Sequence, residues 1–176
     1  MKVLAFAASN SRKSINKDLI RYASTLLPDS DVEIIDINDY EMPLYSSDLE
    51  EAHGIPEAAS RFLDKIAAAD ALVISYAEHN GNYTVAYKNL FDWASRKNQE
   101  VYQSKPIIML STSPGAGGAQ SVLSLAVESA HFFAGKVMAS LSIPEFYKNF
   151  DRDEGVLTNP ELVAKLEETL SPLLQA

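Results

Sequence analysis

The sequence has no cysteine among its 176 residues. A chain without thiols cannot form a disulfide framework, a thiolate zinc site, an iron–sulfur cluster or a cysteine nucleophile. Any redox chemistry would therefore require a bound cofactor. The three histidines, His53, His79 and His131, are dispersed without the spacing of a ligand set, so we expect no metal centre.

Positive charge is also scarce. The 15 lysines and arginines are outnumbered by 24 aspartates and glutamates, which gives a net charge of -9 at pH 7. Such a surface repels the phosphates of nucleic acids and of anionic lipids, so we expect neither a nucleic acid nor a membrane as partner. The apolar run near the start is too short for a membrane span or a signal peptide. We therefore expect a cytoplasmic protein that acts on a small molecule.

The residues that are present alternate between strand-like and helix-like patterns. Apolar, β-branched runs predict five strands, at residues 3–8, 32–37, 71–76, 107–110 and 137–143. Helical periodicity follows each of them, at residues 15–26, 59–66, 83–94, 122–130 and 162–170. This alternation predicts right-handed crossovers and a parallel sheet that is covered by helices on both faces.

We therefore predict one α/β domain over residues 1–176, with a five-stranded parallel sheet in the order 2-1-3-4-5. Glu33 and Asp36 interrupt the second run, which places that strand at an edge and the others nearer the centre. The connections 38–56 and 144–159 are predicted to be long and irregular, and such segments often cover a site. Ligands bind where the strand order reverses, which singles out the loops after strands one, three and four.

The first of these loops combines hydroxyl, amide and guanidinium groups just before a helix. It contains, in order, Ser9, Asn10, Ser11, Arg12, Lys13, Ser14, Ile15 and Asn16. Free N–H groups at a helix N-terminus and hydrogen bonds from such side chains favour a phosphate. Taken alone, the same segment also fits an N-cap cluster on an exposed loop.

The other two loops are polar or rich in glycine. The loop after strand three contains Ala77, Glu78, His79, Asn80 and Gly81. Its Asn-Gly pair predicts a tight turn, which taken alone could be purely structural. The loop after strand four contains Ser113, Pro114, Gly115, Gly117 and Gly118. Glycine lets backbone amides approach a planar heterocycle or a phosphate, although this loop is neither a Walker A loop nor a Rossmann fingerprint.

Together the three loops resemble those of the NAD(P)H-dependent FMN reductase family, which includes flavodoxin-like quinone, chromate and azo-dye reductases. The first loop of the family reads Gly-Ser-x-Arg-x-x-Ser-x-Asn. Its first, second, seventh and ninth positions fall on Ala8, Ser9, Ser14 and Asn16. Ser11 stands at the position of the arginine, and Arg12 follows it.

The other two family motifs are matched in the same order. The second, Pro-Glu-Tyr-Asn-Gly followed by Leu-Lys-Asn-x-x-Asp-Trp, is similar to residues 77–81 and 87–93 here. His79 replaces the tyrosine that lies against the flavin ring in the family. The third, Ser-Pro-Gly-x-x-Gly-Gly, is similar to residues 113–118, with one residue fewer before the glycine pair.

The resemblance implies a flavodoxin-like three-layer sandwich that binds FMN, with the phosphate at the first loop and the ring at the other two. NAD(P)H would reduce the flavin, which would then reduce free flavin, a quinone or a similar small acceptor by ping-pong hydride transfer. The cofactor carries that reaction, so we expect no catalytic side chain. The resemblance further implies a homodimer or homotetramer, with Tyr83, Tyr87 and Trp93 as candidates for the subunit contact. The alternative is a non-enzymatic flavin-binding electron carrier or interaction module.

Overall fold

A computed structural model of the protein describes residues 1–174. The strands are β1 (Lys2–Ala8), β2 (Asp31–Ile34), β3 (Ala71–Tyr76), β4 (Glu78–His79), β5 (Asn82–Tyr83), β6 (Pro106–Thr112), β7 (Lys136–Ile143), β8 (Phe150–Asp151) and β9 (Val156–Leu157). The α-helices are α1 (Ile15–Thr25), α2 (Ser47–His53), α3 (Glu57–Ala68), α4 (Val85–Lys97), α5 (Gln120–Ser129), α6 (Phe146–Asn149) and α7 (Pro160–Leu174). Two 3-10 turns lie at Ile37–Tyr40 and Ala130–Phe133.

Five strands form one parallel sheet in the order β2-β1-β3-β6-β7. Numbered among themselves, these strands have the predicted order 2-1-3-4-5, which confirms the flavodoxin-like topology. From β1 the chain goes first to β2 on one side and then to β3 on the other. The order therefore reverses between β1 and β3, and their carboxyl ends mark the edge of the sheet where a ligand would bind.

Apolar side chains on both faces of the sheet hold the helices in place. Alternate residues of a strand point to opposite faces, so Phe6 and Ile74 lie in one core and Ala5 and Val73 in the other. The first core is closed by α3, α4 and α5, and the second by α1 and α7. This arrangement confirms the three-layer sandwich.

The edges of the sheet differ in part from the prediction. The second strand does lie at an edge, but β7 forms the opposite edge, so the expectation that the other four lie nearer the centre is wrong for it. Lys136, Met138 and Ser140 of β7 are exposed, while the residues between them are half-buried. A strand that reads as a continuous apolar run can therefore still expose one face to solvent, here through Met138 and Ser140.

The two long connections are more regular than predicted. The first holds a 3-10 turn and α2, and the second holds α6 and the hairpin β8-β9. Short elements of this kind leave no long hydrophobic period in the sequence, which is why the pattern missed them. No helix in residues 1–174 has the length and apolar character needed to cross a membrane.

Three tyrosines in the first core bring their hydroxyl groups together. The Tyr102 hydroxyl lies 3.0 Å from that of Tyr87 and 3.5 Å from that of Tyr76. Burial raises the pKa of Tyr102 to about 12 and moves the pKa of the other two well above their ordinary value. The three hydroxyls satisfy one another where water does not reach them.

Two candidates for a subunit contact are buried within the chain instead. Tyr87 is 2% exposed and Trp93 is 1% exposed, so the prediction that they contact a second subunit is wrong. Tyr87 lies in the first core, whereas Trp93 is buried against Pro43 and Tyr45. Tyr83 is half-buried, and its part in a subunit contact stays a prediction.

We expect the buried tyrosines to make the free energy of unfolding fall at alkaline pH. An unfolded tyrosine ionises at its ordinary pKa of 10.0, whereas folded Tyr102 keeps its proton up to about pH 12. The contribution of this raised pKa to the free energy of unfolding is fully present below about pH 10 and is lost as the pH rises toward about 12. In urea unfolding between about pH 8 and about pH 11, the free energy of unfolding should therefore fall less steeply with pH in Tyr102→Phe than in the wild type. Exposed Tyr147→Phe is the control, and equal declines in all three proteins would contradict the assignment.

Candidate functional site

The loops that follow β1, β3 and β6 meet in a cleft of about 210 Å³ at the predicted edge of the sheet. The residues predicted from sequence that line it are Ser9, Ser11, Ser14, Ile15, Asn16, Ala77, Glu78, Ser113 and Pro114. The predicted residues outside its lining are Arg12, His79, Asn80, Gly81, Gly115, Gly117 and Gly118. The sequence interpretation missed Lys13, Thr112 and Tyr147, which also line the cleft.

Free backbone donors and hydroxyl groups dominate the first loop. The Ser14 hydroxyl caps α1 by accepting the Lys17 N–H at 3.3 Å, and Ser9 Oγ accepts the Ser11 N–H at 3.3 Å. Within residues 1–174, the N–H groups of Lys13, Ile15 and Asn16 donate to no protein acceptor. Such donors at the positive end of a helix dipole form a site for an anion.

The positive charges around this loop are not equivalent. Lys17 is buried and pairs with Asp36 at 2.5 Å. Burial works against the ionised carboxylate, yet the bonds from Lys17 and from the Asn38 backbone lower the pKa of Asp36 overall. Lys17 is therefore neutralised, Arg12 is exposed and lies outside the cleft lining, and Lys13 is the cation within that lining.

The hairpin β8-β9 supports the same loop from outside. Arg152 in the turn of that hairpin pairs with Asp18 of α1 at 2.8 Å and approaches the Lys13 carbonyl at 3.5 Å. The carboxylate of Asp18 also receives Arg21 at 3.0 Å. These contacts tie the first loop and the start of α1 to the distant C-terminal part of the chain.

The side chain of Asn16 joins three elements below the cleft. Its Oδ1 accepts the Ser75 hydroxyl at 2.7 Å and the Thr112 N–H at 3.2 Å, and its Nδ2 donates to the Thr112 carbonyl at 3.3 Å. Asn16 is 2% exposed. The amide therefore fixes α1 to the ends of β3 and β6, and its oxygen has no acceptor capacity left for a further strong donor.

The second loop is a tight hairpin whose acidic residue caps a helix. Asn80 and Gly81 have φ of 54° and 73°, the left-handed pair that a two-residue β-hairpin turn requires. Glu78 Oε2 accepts the Val122 N–H at 2.9 Å in the first turn of α5. Ala119 precedes that helix and provides no side-chain cap, so Glu78 supplies the missing cap from the second loop.

His79 lies on the other side of the hairpin. It lines two neighbouring clefts of about 370 Å³ and about 580 Å³, which it shares with Leu44, Val85 and Asn89. Successive residues of a strand point to opposite sides, and the preceding Glu78 is the one that lines the 210 Å³ cleft. The two residues thus serve separate cavities.

Gly118 packs the third loop against the end of β7. Its carbonyl accepts the hydroxyls of Ser111 and Ser142, both at 2.8 Å. A Cβ at this position, where φ is +58°, would lie 2.2 Å from Ser142 Oγ and 3.1 Å from the Pro144 nitrogen. Gly117, by contrast, has open space around it. One glycine of the pair is therefore required by packing, and the other leaves its backbone accessible.

Known proteins that are similar to this chain include FMN reductases and quinone reductases. Residues 1–148 match the family model described as NADPH-dependent FMN reductase. An NAD(P)H-dependent FMN reductase of Pseudomonas aeruginosa is 36% identical over 119 residues, which are 67% of this chain and 63% of that protein. An NAD(P)H:quinone oxidoreductase of Solanum tuberosum is 31% identical over 188 residues, which cover 98% of this chain and 91% of that protein.

A solved structure has the same fold over nearly the whole chain. FerB, a flavoenzyme NAD(P)H:(acceptor) oxidoreductase from Paracoccus denitrificans, superposes with a TM-score of 0.81 at 24% identity. The superposition covers 99% of this chain and 95% of FerB. This likeness supports the flavodoxin-like fold, while the match to the bacterial FMN reductase extends over less than two thirds of that protein's length.

We expect Gly118→Ala to destabilise the fold and Gly117→Ala to leave it unchanged. The left-handed backbone and the displaced Ser142 hydroxyl should together cost about 2 kcal/mol at position 118. Gly117 has neither a positive φ nor a neighbour in the way. Urea denaturation of the two variants measures the difference, and equal midpoints would show that Gly118 is not fixed by packing.

Proposed function

The chain belongs to the NADPH-dependent FMN reductase family, and we propose that it is an FMN-containing oxidoreductase. NAD(P)H is the proposed electron donor, and free flavin, quinones or similar small molecules are the proposed acceptors. One observation carries the proposal. The cleft at the reversal of strand order combines serine hydroxyls with unpaired N–H groups at the start of α1, which is the donor set that a flavin phosphate needs.

The residues of the cleft fit the phosphate of FMN. The hydroxyls of Ser9, Ser11 and Ser14 and the free N–H groups of the first loop would hold it, with Lys13 as the nearby cation. Asn16 would position the loop by its bonds to β3 and β6. Arg12 is exposed outside the cleft lining, so we assign it a smaller part in phosphate binding than the sequence interpretation did.

The second and third loops would hold the flavin ring mainly by their backbones. Ala77, Glu78, Ser113 and Pro114 line the cleft, and Gly115 and Gly117 follow Pro114 in the chain with exposed backbone. The remaining predicted contacts, His79, Asn80, Gly81 and Gly118, stay proposals that the cleft lining does not include. Bound FMN would accept a hydride from NAD(P)H and pass electrons to the acceptor. The chain would bind and orient the flavin. Glu78 accepts a hydrogen bond from the backbone of α5 and is therefore not free for proton transfer.

We also propose the setting in which the protein works. The net charge of -9 supports a small-molecule partner, and it argues against nucleic acid and against anionic membrane surfaces. We propose that the protein is located in the cytoplasm and assembles as a homodimer or homotetramer. Light scattering coupled to size exclusion would measure the assembly.

The proposed activity is tested on the purified protein after addition of FMN. We expect the protein to turn yellow and to oxidise NADPH or NADH steadily when FMN or a quinone is supplied as acceptor. Steady oxidation separates an enzyme from a passive electron carrier. Flavin-replete protein that oxidises neither nucleotide with any acceptor would contradict the reductase assignment.

Ser14→Asp should abolish FMN retention without unfolding the protein. Aspartate is a good N-cap and can still accept the Lys17 N–H, so the free energy of unfolding should change by less than about 1 kcal/mol. Its carboxylate would repel the flavin phosphate at close range. Flavin fluorescence titration measures the loss. Ser46→Asp, at the equivalent cap of α2, is the matched control, and wild-type occupancy in Ser14→Asp would refute the phosphate site.

A further inference from the structure

We propose that Asn89 and Trp93 are positioning residues that hold residues 41–46 as one wall of the acceptor site. We propose further that Leu44 on this wall selects the acceptor. The inference rests on the proposed function. It assigns a role to residues 87–93, the helical half of the second motif, which lie outside the 210 Å³ cleft. It also assigns a role to residues 41–46 of the connection 38–56, for which the sequence indicated no chemistry.

Residues 41–46, the strap, have no helix or strand of their own and are held by one amide of α4. Asn89 Oδ1 accepts the Tyr45 N–H at 2.9 Å. Asn89 Nδ2 donates to the carbonyls of Met42 and Pro43, both at 3.1 Å. A single side chain thus satisfies three backbone groups of a segment that lacks ladder partners.

Trp93 holds the same segment one helical turn further along. Its indole Nε1 donates to the Pro43 carbonyl at 2.7 Å, and the Tyr45 ring packs edge-on against it at 5.0 Å. The Tyr45 hydroxyl donates to Glu50, which also receives Arg96 of α4 at 2.8 Å. Residues four apart lie on one face of a helix, so Asn89 and Trp93 act together on the strap.

Leu44 is the large apolar residue of the strap that these bonds leave exposed. Its neighbours Pro43 and Tyr45 are fixed through their backbones, yet the Leu44 side chain is 68% exposed. It lines both the 370 Å³ cleft and the 580 Å³ cleft, together with His79 and Val85. Val85 is 67% exposed in the same linings, and exposed apolar residues that line a cleft together mark a ligand-binding groove.

The lining of these clefts indicates the chemistry of the acceptor. Uncharged amides from Asn10, Asn38 and Asn82 accompany the apolar Leu44 and Val85. The charge of Lys88 is neutralised by its ion pair with Asp92 at 2.7 Å. Glu41 therefore gives the lining a net negative charge. This combination suits an uncharged planar molecule with carbonyl acceptors, such as a quinone, and disfavours a polyanion such as ferricyanide.

Leu44→Ala tests the wall without threatening the fold, since the side chain is exposed. The ratio of kcat/KM for 1,4-naphthoquinone to kcat/KM for ferricyanide should fall about fivefold, mainly through a higher naphthoquinone KM. Met138→Ala removes a side chain of similar exposure from the distant edge of β7 and should leave the ratio unchanged. An unchanged ratio in Leu44→Ala, or an equal fall in Met138→Ala, would overturn the assignment of Leu44.

Asn89→Ala tests the positioning role with a readout that needs no flavin. In the FMN-free protein, hydrogen exchange at the Tyr45 amide should become about tenfold faster, because its acceptor is lost. Lys88→Ala, on the exposed side of the same helix, should leave that amide protected. The naphthoquinone KM should rise in Asn89→Ala, while kcat should change by less than about twofold. Unchanged exchange at Tyr45, or a fall in kcat with no rise in KM, would overturn the positioning role.

Failure of the proposed function and failure of this inference look different. Wild-type protein that neither binds FMN nor oxidises NAD(P)H would remove the acceptor site altogether. Wild-type protein that turns over, with Leu44→Ala and Asn89→Ala matching it in naphthoquinone KM, would keep the reductase assignment and remove the strap from it.

Discussion

The candidate site depends on the buried amide of Asn16. It accepts a hydroxyl from β3 and an N–H from β6 and donates to a carbonyl of β6, so it joins the ends of two strands to the first helix. A buried amide with these partners is costly to disturb, because removal leaves Ser75 and Thr112 without their bonds in the dry interior. The first loop is held at the reversal of strand order by this contact, and the serine hydroxyls and free N–H groups above it follow from that position.

The other loops are connected in the same way, by polar groups that reach across the molecule. Glu78 caps α5, and Thr84 both caps α4 and donates to the Ala8 carbonyl at 3.0 Å. Asn89 does for the strap what Asn16 does for the first loop. Each segment has irregular backbone whose N–H and C=O groups need partners, and side chains of neighbouring elements supply them. The rigidity of the site therefore comes from helix caps and amides as much as from the hydrophobic core.

Much of the fold could be predicted because it follows from local period and order. Continuous apolar runs such as residues 71–76 are buried on both faces, and their alternation with helices leaves few topologies. The exposed face of β7 could not be predicted, since Met138 and Ser140 do not break an apolar run. The interior place of Tyr87 and Trp93 was missed for a related reason, because an aromatic stripe on a helix looks the same whether its partner is the core or another subunit.

The candidate site shows where sequence spacing stops being informative. Spacing placed Ser9 and Ser14 in one loop and Asn89 and Trp93 in one motif, but it did not indicate which groups face the cleft and which hold a neighbouring segment. The basic residues of the first loop and of α1 show the same limit of sequence spacing. Arg12 attracts attention in the sequence, yet the structure places Lys13 in the lining and neutralises Lys17 with Asp36. In a chain with a net charge of -9, an anion must be held by donors at short range, since the field of the whole protein repels it. The direction of the N–H groups at the start of α1 thus matters more for this site than the number of basic residues near it.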